Sequence, residues 1–364
     1  MSEPGRRPDG WAPPPQQYGW APLPGPPAQY PPPGYFVAPV DPRLVTGLPI
    51  EERSYSSFYR APRWRWWKPL LATALTIVAF VVFATVFTVI GLVADGTDIA
   101  GLAPDASNLR VGPGIFLANN IALAMSIPTA MLVQWLFTGQ RPRWLSSVQG
   151  RFRWGWFGTC VAVALPLWLA LMGIETALTG LPPDIQVRPY TVVMIAGILL
   201  TTPFQAAGEE YLMRGLEQRF VASYFRSDLV GFLVGALVSS LTFMALHGAA
   251  DPWLNAFYFG FGGLASWLTW RTGGLEAAVA IHVVNNMVSE ALLPFTDFSD
   301  MFDRSAGVGD PTVLIHLAVL LGATIVMAWL AKRRGLPRAS APGRAEVERV
   351  QAVARSAWAA PSGR

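Results

Sequence analysis

Residues 192–215 read VVMIAGILLTTPFQAAGEEYLMRG: a run apolar enough for a lipid bilayer that ends in Glu209, Glu210 and Arg214. A charge inside hydrocarbon costs roughly 2.5–3.5 kcal/mol even on the milder insertion scales. Three of them on one stretch therefore call for partners or a wet cavity. What those partners are decides both the fold and the function.

The surrounding composition is that of a membrane protein. Of 364 residues, 52% are hydrophobic and 14% charged, against about 25% charged in an ordinary soluble domain, and the mean hydropathy is +0.36. The one cysteine, Cys160, lies in an apolar run, so an intramolecular disulfide and a cysteine metal cage are both excluded. A net charge of +4 does not point to nucleic acid, because the Lys and Arg residues cluster beside apolar segments as membrane anchors do.

Three regions follow. Residues 1–62 form a Pro-rich tail, with 15 of the chain's 32 prolines in the first 49 positions; such runs favour polyproline II and no packed core. The expectation is a disordered extension without a cleavable signal segment, whose proline motifs offer a docking site for a partner protein. Residues 335–364 are basic and Ala-rich, with at most a short frayed helix. Between the tails, residues 63–334 hold eight apolar stretches of membrane-spanning length, near 69–93, 114–138, 154–178, 191–213, 229–249, 252–270, 275–293 and 312–331. The expected fold class is all-α: a polytopic membrane protein of about eight transmembrane helices with disordered cytoplasmic tails. Basic residues flank alternate connections: Arg60, Arg63, Arg65 and Lys68; Arg141, Arg143, Arg151 and Arg153; Arg219 and Arg226; Arg271; and Lys332, Arg333 and Arg334. The other connections carry Asp95, Asp98, Asp105, Asp184, Asp251, Asp297, Asp300 and Asp303. This alternation places both termini in the cytoplasm and the protein in the plasma membrane.

Inside the spans three pairs share one spacing: Glu210 with Arg214, Phe243 with His247, and His282 with Asn286. Residues four apart lie on one helix face. Buried polar groups in a bilayer must satisfy one another, so these spans are expected to meet around one site. A Glu with two His suits Zn²⁺, and a Glu can equally serve as general base toward water. Asn286 has a donor for a developing oxyanion, and Arg214 would hold Glu210 ionised. Hydrolysis of a carbonyl bond within the membrane fits this set. Proton-coupled transporters also place Glu, His and Arg inside bundles, so a non-proteolytic transporter or a scaffold or immunity-type binding protein remains the alternative.

Taken in order, Glu209-Glu210-x-x-x-Arg214, Phe243-x-x-x-His247 and His282-x-x-x-Asn286 resemble the three-motif signature of the CPBP family, the CAAX prenyl protease and bacteriocin-processing intramembrane proteases, also called Abi proteins. The resemblance covers roughly residues 191–293. It implies an eight-helix intramembrane endopeptidase acting on a peptide or membrane-anchored protein substrate. Glu209 would activate the attacking water, supported by Glu210 and Arg214. His247 and His282 would coordinate a metal or polarise water and substrate, and Asn286 would assist at the oxyanion. Two mechanisms stay open: zinc held by Glu209, His247 and His282, or a metal-free water activated by glutamate.

Two further expectations concern depth and the remaining polar residues. If the fourth span ended near Arg214, Glu209 and His247 would lie roughly 28 Å apart in depth by the helical rise, too far to share a site. A fourth helix extended to about Tyr224, with a kink at Pro203 or a tilted or late-starting fifth span, would close that gap. His316 is read as structural, Glu276 and Glu290 as snorkelling to water, Glu175 and Asn119 and Asn120 as interhelical or cavity-lining, and the glycines of FGFGGLASW (259–267) as a helix-packing surface.

Overall fold

The computed structural model describes residues 39–97, 111–299 and 304–359. The Pro-rich stretch 1–38, with its expected docking partner, lies outside them, as do Asp98, Asp105, Asp300 and Asp303. The described chain is helical except for one short strand pair. Its helices are α1 (Pro42–Val45), α2 (Trp67–Ala94), α3 (Pro113–Ala124), α4 (Ser126–Thr138), α5 (Trp154–Thr179), α6 (Thr191–Glu210), α7 (Gln218–Ala222), α8 (Asp228–Leu246), α9 (Pro252–Thr272), α10 (Glu276–Ser289), α11 (Val313–Arg333) and α12 (Pro342–Ala359). Strands β1 (Arg53–Ser54) and β2 (Ala339–Ser340) pair antiparallel.

Seven helical stretches are long and apolar enough to cross a membrane. Each coincides with an expected span to within a few residues, α3 and α4 together making the second, except that the fourth runs on to Ala222. The expected sixth span is present as α9, 21 residues long, but is not one of the seven. Its glycines, Asn255 and Arg271 lower its apolarity, and it packs between α8 and α11. The count of about eight is therefore eight long helical segments, seven of them with the composition of a span.

The centre of the bundle is α10. It packs against α5, α6 and α9 and buries Glu276, His282 and nearly every apolar residue from Ala277 to Val284. Outside it, α2 packs on α3 and α4, and α3 on α6. Small residues set the closest approaches. A Cβ at Gly208 would stand 2.2 Å from the carbonyl oxygen of Leu123 on α3, and one at Gly262 2.9 Å from the Cα of Ser240 on α8. The glycines of 259–267 are thus packing residues, as expected.

Packing extends past both expected tail boundaries. Residues 39–62 are not a loose extension: Leu48, Tyr55, Phe58 and Tyr59 are buried, and β1 pairs with β2 beyond the last span. Residues 335–364 likewise contribute β2 and the 18-residue α12, more than a frayed turn. Local proline content misleads here because tertiary contacts override it; Pro42 opens α1 at the position where proline is favoured.

Several charges expected at loops or water are buried. Arg219 is fully buried, its guanidinium 4.0 Å from the Tyr59 ring centroid, 4.7 Å from Tyr55 and 5.4 Å from Phe58. Glu276 does not snorkel: Arg153 donates to it through its backbone N at 2.9 Å, Nε at 2.8 Å and Nη2 at 2.6 Å. Glu290 accepts from Thr202 Oγ1 at 2.6 Å. His316 finds an acidic partner that no sequence spacing suggests, Glu175 on α5, at 3.0 Å, and Asn120 donates to Thr201 and Thr202 at 3.0 and 3.1 Å.

Candidate active site

The helical run that begins with α6 passes through Pro203 without a break and does not end at Glu210. Residues Tyr211–Glu217 continue it as a π-helix and α7 carries it to Ala222. This is the extension the depth argument demands, with one added feature: the wider π turns, a geometry that recurs at functional sites. Glu209 closes α6 and Arg214 lies inside the π segment, so the motif straddles the change of winding. From the next helix, Ser239 Oγ donates to the Met213 carbonyl at 3.2 Å, holding α8 against the π turns.

Glu210 and Arg214 are both fully buried and form an ion pair at 3.0 Å. Glu210 also accepts from His282 Nδ1 at 2.8 Å. Against an ionised Glu210, Nδ1 is the donor, and in the neutral imidazole Nε2 is then an acceptor. Nε2 lies 3.8 Å from Glu209 Oε2. The two adjacent glutamates differ sharply in surroundings, the Glu209 side chain being 15% exposed and that of Glu210 0%. Glu209 is held in turn by Gln205, whose Nε2 donates to it. Asn286 Nδ2 donates to Gln205 Oε1 at 2.9 Å, Asn285 to Asn286 at 3.0 Å, and Trp168 Nε1 to Asn285 at 3.1 Å. Side chains from α5, α6 and α10 thus make one hydrogen-bonded chain.

The Phe243 motif joins from α8. The Arg214 guanidinium sits 4.7 Å from the Phe243 ring centroid, a cation–π contact that helps hold a buried charge. Phe243 also lies against His282 and His247, with centroids 5.9 and 4.5 Å away. His247 caps the C-terminus of α8, shares a 2.7 Å hydrogen bond with the Phe243 carbonyl through Nδ1, and stacks on Tyr258 of α9 at 3.8 Å. All six expected site residues, Glu209, Glu210, Arg214, His247, His282 and Asn286, therefore belong to one neighbourhood.

The expected zinc ligands, Glu209, His247 and His282, are near one another but do not converge. Among the described residues no group of three His, Cys, Asp or Glu side chains could hold a metal ion. Nδ1 of each histidine is engaged, with Glu210 and with the Phe243 carbonyl, which leaves both Nε2 atoms free in the manner of metal-ligating imidazoles, while Glu209 is drawn to Gln205. The three donors suit zinc in kind but are not gathered around one point, and the chemistry proposed for this site rests on the residues themselves.

Residues 190–288 match the family model described as type II CAAX prenyl endopeptidase, Rce1-like. Over this stretch the chain is similar to that family. No curated protein and no solved structure matches the chain. The Rce1-like match opens one residue before α6 and ends inside α10, so it contains all three motifs, and the family it describes is one of type II CAAX prenyl endopeptidases. Helices α2 to α5 and α11 lie outside the Rce1-like match, yet α5 supplies Trp168 to the site. The motifs announce seven residues, Phe243 among them; Gln205, Asn285, Trp168 and Tyr258 are additions. Only Gln205 carries a signal, one turn before Glu209 on the same face.

Proposed function

We propose that this protein is an intramembrane endopeptidase that hydrolyses a peptide bond of a membrane-associated substrate, with Glu209 as the general base toward water. The observation that carries this reading is the pair of acceptors, Glu209 Oε2 and His282 Nε2, 3.8 Å apart, the first on a partly exposed carboxylate. A water donating one hydrogen to each presents its lone pair to a third point, which is the arrangement an attacking nucleophile requires.

In the proposed reaction Glu209 takes a proton from that water as its oxygen adds to the scissile carbonyl carbon. The tetrahedral oxyanion is met by the second N–H of Asn286, while His247, whose Nδ1–H is held by the Phe243 carbonyl, offers Nε2 as an acceptor to an N–H of the substrate. Collapse breaks the C–N bond, and Glu209 returns its proton to the leaving amine, giving a carboxylic acid and an amine. Glu210 acts through His282: it fixes the tautomer, while Arg214 balances its charge. The protein is placed in the plasma membrane with both termini cytoplasmic, on the alternation of basic and acidic connections.

The test is cleavage of quenched peptides ending in CAAX-type sequences, prenylated and unprenylated, by the detergent-purified full chain. Glu209→Gln keeps shape and is expected to lower kcat by at least roughly 100-fold, the low end of general-base contributions, at unchanged melting temperature. Glu210→Ala and Arg214→Ala are poor probes, because stranding one partner of a buried ion pair costs about 3–5 kcal/mol of stability. A chelator arm belongs in the same assay: turnover that survives it supports the water held by Glu209 and His282 alone. Equal turnover by wild type and Glu209→Gln would remove the proposal.

A further inference from the structure

Far from Glu209 along the chain, the approach to α2 carries Arg63 and Arg65, and its first turn carries Trp67 and Lys68. The packed N-terminal segment brings Arg43 and Leu44 beside them, with Arg63 Nε donating to the Arg43 carbonyl at 3.0 Å. These six residues line a surface cavity of about 380 Å³. No sequence run joins them; α1 must fold back for the cavity to exist.

Its charge is unbalanced. Arg43 is matched by Asp41 at 2.6 Å, and that carboxyl is held below its ordinary value by the Arg43 hydrogen bonds, with a smaller pull from Arg65. Among the described residues Arg63, Arg65 and Lys68 make no ion pair. Arg65 Nη1 and Lys68 Nζ donate instead to the carbonyls of Trp64 and Arg63 at 2.8 and 3.1 Å, which orients the cations without cancelling their charge. The first turn of α2 contains no acidic residue that would offset these cations.

The rim is apolar. Leu44, Trp66 and Trp67 are exposed, and so are Leu70 and Leu71 one turn further along α2, on a helix with the composition of a membrane span. The wall is braced, since Trp64 Nε1 and Arg60 Nη1 donate to Ser223 at 2.9 and 3.2 Å and Tyr224 Oη donates to the Trp66 carbonyl at 2.6 Å. We propose that this cavity binds the headgroup of an anionic phospholipid, its phosphate held by Arg63, Arg65 and Lys68 with Arg43 at the edge, and its acyl chains lying along α2. A free phosphate would answer the charge but leave the tryptophan and leucine rim without a partner. The site stands apart from the catalytic neighbourhood and does not depend on the protease reading.

The test is native mass spectrometry of the full chain in neutral detergent micelles, titrated with phosphatidylglycerol or phosphatidylcholine. Wild type is expected to retain one phosphatidylglycerol in preference to phosphatidylcholine. In R63Q/R65Q/K68Q the affinity should fall on the order of 100-fold, since each cation near an anionic lipid surface is worth about fivefold. The charge-keeping R63K/R65K is expected to restore retention, and K332Q/R333Q at the end of α11 to leave it intact. Equal retention of both lipids by wild type, undiminished binding in the triple variant, failure of the lysine variant to restore it, or an equal loss in K332Q/R333Q would overturn the proposal. So would displacement of the lipid by millimolar inorganic phosphate, which would make this a free-phosphate site.

Discussion

Glu209 and Glu210 are neighbours in sequence and opposites in environment: one is partly open to water and held by Gln205, the other sealed between Arg214 and His282. A base must meet water and an orienting carboxylate must not, so the difference in burial assigns the proposed roles. Gln205 is where this argument is most exposed to test. Its amide gives a hydrogen to Glu209 and takes one from Asn286, so Gln205→Ala frees both at once while removing little buried surface. Expected is a loss in kcat on the order of 100-fold, the scale set by misplacing a reacting group by about 1 Å, with KM and melting temperature nearly unchanged; a KM effect alone would make Gln205 a substrate contact. At this scale the site was legible where ionisable side chains interrupt apolar runs, because hydrocarbon makes them expensive. Gln205, Asn285 and Trp168 were not, since neutral polar groups and indoles occur throughout spans and only their partners give them meaning.

Among the elements, the run from α6 through the π turns to α7 does the positioning. Its length follows from the depth that Glu209 must share with His247, and so could be argued from sequence. The π winding could not: nothing in YLMRGLE distinguishes it from ordinary helix, and it depends on what packs around it, as where Gly215 lies between Leu145 and Leu275. Gly208 is the tightest point of this run. Gly208→Ala would drive a methyl into the Leu123 carbonyl of α3, and backbone cannot yield as a side chain can. Overpacking of this kind costs about 1–3 kcal/mol, and here it moves the residue beside the proposed base. A lower melting temperature together with lower turnover is expected, whereas Gly263→Ala, whose nearest neighbour is Ser240 Oγ at 4.0 Å, should change neither. If both alanines behave alike, close approach at Gly208 is not what sets the distance between α3 and α6.

Taken whole, the molecule is held at one end by segments that composition assigns to tails. Hydropathy located every helix of spanning composition, because burying a span in lipid leaves a signature along the chain. It could not locate residues 39–62, whose aromatic side chains pack only because Arg219, Gln134 of α4 and the turn at Leu145 are waiting for them. Tyr55 donates to the Leu145 carbonyl, and Tyr59 to Gln134 at 2.9 Å. Burial pushes the Tyr59 phenol up to about 12, with Arg219 pulling the other way, and Tyr55 is raised further. An unfolded phenol titrates near 10, so between about pH 10 and 12 the unfolded chain binds fewer protons and the folded state loses stability as pH rises. Melting temperatures in detergent are expected to be level below pH 10 in this respect and to fall above it. The fall should be shallower in Tyr55→Phe/Tyr59→Phe; an identical slope would mean that these rings are not closed off from water.

The pairing of Arg53 with Ser340 and of Ser54 with Ala339 joins the beginning of the described chain to its end. A ribosome delivers β1 before any span and β2 after the last, so this strand pair cannot form until translation is nearly complete. Up to that moment Tyr55 and its neighbours lack part of their final setting, and a nascent chain halted after α11 would hold every site residue yet lack its closing clasp.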